Sequence, residues 1–214
     1  MISLVDTQAW AAADLTGNSA LLPAGDGDLF LVGGRRATGG HGVYLSRDYG
    51  ATWSERAQIL TPEGSMDPAA TFDLDGNIHL ILGVPNPNDP MSMDILKYRV
   101  TYDLGTMVFD VTGPMVLVEA SKTVSAYDIA TDVTTGTLLV VATAQEPKTP
   151  AGLSGRYALI AVEVNATTGA RTHTVLEQSN WLTGNTCGGI SVVTPGLGGA
   201  EVYYTSHVRS FTSK

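Results

Sequence analysis

Turn glycines, returning at intervals along the chain between short apolar runs, constrain its fold most. Four of them, Gly27, Gly76, Gly136 and Gly199, lie 49, 60 and 63 residues apart. Each sits between two strand-length segments, as in SALLPAG-DGD-LFLVGG, AATFDL-DGN-IHLILGV and YDIATDVT-TGT-LLVVATA. Such a pattern reads as a β-hairpin, because glycine takes the positive φ that tight turns need while β-branched and aromatic residues favour the flanking strands. A second hairpin follows each of the first three, turning at Gly50, Gly105 and Gly169.

Two hairpins per unit make a four-stranded antiparallel sheet, and recurrence of that sheet predicts an all-β protein, a β-propeller of four-stranded blades. The 214 residues hold about 3.5 to 4 of them in a single domain, with blades at about 17–60, 66–119, 125–178 and 186–214. The fourth unit offers two strands, about 188–196 and 200–207, before the chain reaches VRSFTSK. Residues 1–8 are a candidate strand to complete it and close a four-bladed ring. The alternative is a larger ring whose other blades come from elsewhere, since an unpaired blade edge has to be covered. If the tight turns share one face, the longer connections at 33–42, 85–93, 145–156 and 206–210 form the opposite rim, where binding residues usually lie.

Charge narrows the partners. A formal net charge of −9 and a pI near 4.7 exclude a broad electrostatic grip on nucleic acid or on an anionic membrane. No window offers the roughly 20 apolar residues of a membrane helix, and MISLVDTQAW is not a secretory signal, so a soluble protein without a signal peptide is expected. Cys187, the sole cysteine, reads as a small buried apolar residue rather than a reactive thiol. No cofactor or metal is expected, because no two histidines have ligand spacing on one element and Asp73-Leu-Asp75-Gly-Asn77 reads better as a hairpin turn than as a calcium loop. His79 and His173, inside strands, read as structural.

One turn carries more than glycine. In SRDYGATW, Ser46, Asp48, Gly50, Thr52 and Trp53 match the pattern Ser-x-Asp-x-Gly-x-Thr-Trp. A short carboxylate there accepts hydrogen bonds from its own turn, Gly50 supplies positive φ, and Trp53 packs between strands. The motif resembles the Asp-box of the sialidase and BNR-repeat propellers, and the resemblance extends over about residues 17–60. In that family the box lies on the face opposite catalysis, so it implies a fold rather than a chemistry.

The catalytic set the resemblance implies is not retained. Where the family blade opens with Arg-Ile-Pro, whose arginine clamps the substrate carboxylate, this chain has Gly17, Asn18 and Ser19. Gly34-Arg35 matches a family Gly-Arg pair, but the general-acid position falls near His41, in a stretch without carboxylates. Nominal counterparts of the tyrosine nucleophile, its glutamate and the remaining arginines are Tyr203 or Tyr204, Glu201, and Arg156 or Arg209. No catalytic residue is therefore assigned. Candidate ligand-binding residues on the rim are Arg35, Arg36, His41, Asp89, Arg156 and His207, a locally basic set suited to an acidic sugar or a carboxylate-bearing partner.

Three function classes follow from these residues. The first is a non-catalytic structural or docking module whose partners are other protein subunits, by analogy a phage tail or fibre component carried in the virion. The second is a module that binds a cell-surface glycan. The third is a sialidase-like glycoside hydrolase with a rearranged site; a glycosidase of a different type would need a pair of carboxylates, and Asp89, Asp94 and Glu146 are the rim carboxylates.

Overall fold

The structure, a computed structural model, describes residues 15–35, 39–148, 157–179, 189–193, 201–205 and 210–213. Arg36, Arg156, Cys187, His207 and Arg209 lie outside the described residues, as do residues 1–8. Every described element is a β-strand. Blade 1 contains β1 (Leu15–Gly25), β2 (Asp28–Arg35), β3 (His41–Ser46) and β4 (Ser54–Ile59). Blade 2 contains β5 (Ala69–Phe72), β6 (Ile78–Asn86), β7 (Asp89–Asp103) and β8 (Val108–Ser121). Blade 3 contains β9 (Thr123–Thr131), β10 (Thr137–Gln145), β11 (Tyr157–Asn165) and β12 (Arg171–Ser179). Blade 4 contains β13 (Gly189–Val193), β14 (Glu201–Thr205) and β15 (Ser210–Ser213).

All pairs are antiparallel and sequential. The first strands pack in series, β1 on β5, β5 on β9 and β9 on β13, which arrays the sheets about one axis as a β-propeller. A blade between two others buries both faces of its middle strands, so these read as unbroken apolar runs rather than alternating ones. Along β2, Phe30 and Val32 enter a core shared with Ile78, Leu80 and Leu82 of blade 2, while Leu31 turns away to pack with Tyr44, Leu21 and Trp53. Ile81 and Ile95 face Ile129, Leu138 and Val140 of blade 3, whose Leu139 and Val141 meet Val192 of blade 4. At about 1.5–3 kcal/mol for each fully buried large apolar side chain, these inter-blade cores dominate stability.

Two features differ from the sequence reading. Residues 85–93 are not an irregular loop: β6 and β7 run on to pair Asn86 with Asp89, leaving Pro87-Asn88 as a two-residue turn. The Asn86 side-chain oxygen accepts the Asn88 N–H at 2.8 Å, and proline fixes the φ of the first turn position, so the polar, proline-rich composition marks a tight turn. In blade 4 a third strand, Ser210–Ser213, follows the two expected and pairs with β14.

Candidate functional site

The tight turns of blade 1 meet at one end. The Tyr49 N–H donates to the Gly27 carbonyl at 3.1 Å, and the Tyr49 ring lies where a Cβ on Gly27 would be, 2.7 Å from its nearest carbon. Next to it, Asp48 is used up by its own turn. One oxygen accepts the Thr52 N–H at 2.8 Å and the Ser46 hydroxyl at 2.8 Å, and the other accepts the Thr52 hydroxyl at 2.6 Å. These bonds hold its carboxyl below the usual carboxylate range. The Trp53 indole N–H closes the turn on the Gly50 carbonyl at 3.0 Å. All of these bonds close within the turn itself.

The opposite end is built differently. His41, 3% exposed, opens β3. Its Nε2 lies 3.1 Å from the Met66 carbonyl, which only accepts, so Nε2 carries the proton and Nδ1 accepts the Thr61 hydroxyl at 3.0 Å. Burial lowers its pKa, outweighing the opposing effects of the Met66 bond and the Asp67 charge, so the ring is neutral at pH 7. His41 thus anchors the connection from blade 1 to blade 2. Arg35, at the end of β2, has its Nε 2.8 Å from Glu55 Oε1 and is committed to that carboxylate.

The anchored connection ends at Asp67. Around it the Met66 N–H donates to the Gly83 carbonyl at 2.8 Å, and the Tyr127 hydroxyl, from β9, donates to the Asp67 carbonyl. That hydroxyl also accepts the Gly83 N–H at 3.0 Å. The backbone of Met66 and Asp67 is therefore held from blades 1, 2 and 3 at once, while the Asp67 side chain is exposed. A fixed backbone beneath a solvent-facing carboxylate is a preorganised acceptor.

A second carboxylate stands on the neighbouring first strand. Thr71 and Thr131 hydroxyls lie 3.3 Å apart, which sets the offset between β5 and β9 at 60 residues and brings Tyr127 level with Asp67. Asp128, the next residue, is half-buried and turns toward blade 4, where it accepts the Val192 N–H at 2.9 Å. Its other oxygen accepts the Ile129 N–H at 2.9 Å. Burial pushes its pKa up despite these bonds, so Asp128 keeps its proton to higher pH than an ordinary aspartate. Asp67, two residues before β5, and Asp128, within β9, thus stand at about one level, with the Asp128 side chain turned toward blade 4.

The remaining candidates are engaged elsewhere. Asp89 accepts the Met91 N–H at 3.2 Å as β7 begins, and Asp94 is buried against Asn86. Glu146 pairs with Lys122 at 2.5 Å. Tyr203 donates to Glu201 on the exposed face of β14. His173 bonds the Leu117 carbonyl at 2.7 Å and links blades 3 and 2. His79, fully buried, bonds Asp73 at 3.0 Å, and Asp73 Oδ1 accepts the Asp75 and Asn77 N–H groups as a turn residue does. No group of three potential metal ligands forms among the described residues. None of them forms a helix long and apolar enough to cross a membrane.

Sequence reasoning missed Asp67, Tyr127 and Asp128. Their signal was the same 60-residue interval that separates Gly76 from Gly136, which aligns SMDPAATF with SAYDIATD.

No protein-family model matches the chain, and no curated protein is similar enough to count as a relative. Solved structures do match. An endo-arabinase from Bacteroides thetaiotaomicron VPI-5482 is 16% identical, with 88% of this chain and 72% of that one covered and a TM-score of 0.53. A xylan β-1,4-xylosidase from Bacillus halodurans C-125 is 15% identical, with 89% of this chain but only 40% of that one covered and a TM-score of 0.54. At such identities the likeness establishes architecture, and the architecture is that of a β-propeller.

Proposed function

We propose that the protein binds neutral glycan at the end of the propeller where Asp67 and Asp128 stand. What carries the reading is Asp67: an exposed carboxylate on a backbone fixed from three blades, with Asp128 on the adjacent β9 next to the tyrosine that holds it. Carboxylates in such a setting accept the hydroxyls of a sugar. With a net charge of −9 and Arg35 bound to Glu55, the site disfavours an anionic sugar, which sets this reading apart from the sialidase type suggested by SRDYGATW. The two propellers of similar architecture are named for action on arabinan- and xylan-type glycans, which makes those oligomers the first to try.

The raised pKa of Asp128 favours a second reading, hydrolysis. A glycosidase needs one carboxyl protonated as general acid and another ionised. Isothermal titration with arabino- and xylo-oligosaccharides of about two to six units tests binding, with Asp67→Ala expected to weaken it about tenfold or more. Release of reducing ends that disappears in Asp128→Asn while binding persists supports the hydrolytic reading. Absence of binding to the intact protein at millimolar ligand refutes the glycan reading and favours the docking module, with other protein subunits as partners.

A further inference from the structure

A cleft of about 470 Å³, lined by neither Asp67 nor Asp128, lies between the β6–β7 turn, β8, and Arg171 at the start of β12 in the next blade. That volume lies within the range of small-ligand sites. Its floor is Asp94, 7% exposed. Asn86 Nδ2 donates to both oxygens of Asp94, at 2.9 and 3.1 Å, and the Ala120 N–H donates to Oδ1 at 2.7 Å. Ala120 is held at φ 45° in the left-handed region, which turns its N–H out of the strand ladder and onto the carboxylate. Oδ1 is thereby saturated, while Oδ2 holds one bond and keeps a free lone pair.

The walls supply the other half of a recognition site. Arg171 gives one N–H to the Val116 carbonyl, and its other donors have no partner among the described residues. Glu119 is exposed and is a second acceptor. Pro87 and Val116, the latter 36% exposed, provide an apolar flank. Two carboxylates against one guanidinium leave the cleft net negative, which repels anionic ligands, and alternating acceptors and donors beside an apolar wall match the hydroxyls and C–H face of an uncharged sugar.

We infer that this cleft is a second saccharide-binding site, taking one to three units of a neutral glycan on the flank of blade 2. The inference rests on the glycan reading above but on none of its residues. The test is calorimetric titration of the full chain with xylotriose, arabinotriose and maltotriose. Val116→Trp fills the cleft from an exposed strand position, and Glu119→Lys reverses a wall charge without touching the Asp94 floor. Thermal melting checks that both variants fold.

For a trisaccharide that binds, the intact protein is expected to take two equivalents. Val116→Trp and Glu119→Lys should each take one, with affinity at the lost site down by about tenfold or more. Asp67→Ala should also take one, keeping the site that Val116→Trp removes. Unchanged stoichiometry and affinity in both cleft variants overturn the second site and leave the Asp67 reading standing. If Val116→Trp removes all binding and Asp67→Ala removes none, the cleft stands and the Asp67 reading falls. Absence of binding in the intact protein overturns both.

Discussion

Asp48 and Asp67 are both exposed aspartates, yet their surroundings give them opposite uses. Asp48 directs both carboxylate oxygens into its own turn, whereas Asp67 has its backbone tied down and its side chain exposed. Asp48→Ala should therefore lower the melting temperature and leave saccharide affinity unchanged, which a melting curve and a titration on the same variant would check. The role of Asp48 was legible because all its partners lie within eight consecutive residues. The Asp67 carbonyl is held by Tyr127 and the neighbouring Met66 N–H by Gly83, so no local motif could display the arrangement.

The buried histidine of blade 2 gives a pH dependence. Burial lowers the His79 pKa to about 4 from an ordinary value of 6.5, against the opposing pull of Asp73. The unfolded chain thus takes up a proton between those values while the folded chain does not, so stability falls as pH drops from about 6.5 to about 4. The loss has an upper bound of about 3 kcal/mol. Asp73 adds to it below that window: burial pushes its carboxyl up, but hydrogen bonds from Asn77 and His79 bring it below the ordinary value, and that contribution disappears as it protonates. Asp128, with its raised pKa, works in the opposite direction. Urea denaturation across this pH range should show the decline, and His79→Gln should flatten it.

Among the elements, β9 makes the most consequential contacts, because it bonds to both neighbouring blades. Tyr127 and Thr131 reach into blade 2, to the Asp67 and Phe72 carbonyls, and Asp128 reaches the Val192 N–H of blade 4. Tyr127→Phe leaves the buried Gly83 N–H and the Asp67 carbonyl unpaired, and should cost about 1–3 kcal/mol in urea denaturation. Because the same hydroxyl fixes the Asp67 backbone, saccharide affinity should fall as well, although the substitution removes no group from the ligand surface. The strands themselves were legible from glycine spacing and apolar runs. The β6–β7 connection was misread, because proline and asparagine mark tight turns as readily as loops, and only the Asn86 bonds to Asn88 and Asp94 decide between them.

For the molecule as a whole, the propeller follows from one repeated fact: blades 2 and 3 each have two apolar faces, and each face is packed on a neighbouring blade. Phe30 of β2 shows how the blades are joined, since its ring meets Phe72 at 5.9 Å, Tyr102 at 4.7 Å and Phe109 at 6.3 Å, all in blade 2. The hydrophobic pattern made this architecture readable. The candidate site was not readable, because it depends on which residues of different blades stand level. Of the residues the rim suggested, Arg35 and His41 are engaged by Glu55, Thr61 and Met66, Asp89 accepts the Met91 N–H, and Arg36, Arg156 and His207 lie outside the described residues.

The central claim is therefore a claim of place, and amide chemical shifts on titration with a neutral oligosaccharide test it directly. The account predicts shifts at Met66, Asp67, Tyr127, Asp128 and Val192, with none in the Ser46–Trp53 turn. Shifts confined to that turn, or spread over the surface without those five amides, would contradict it.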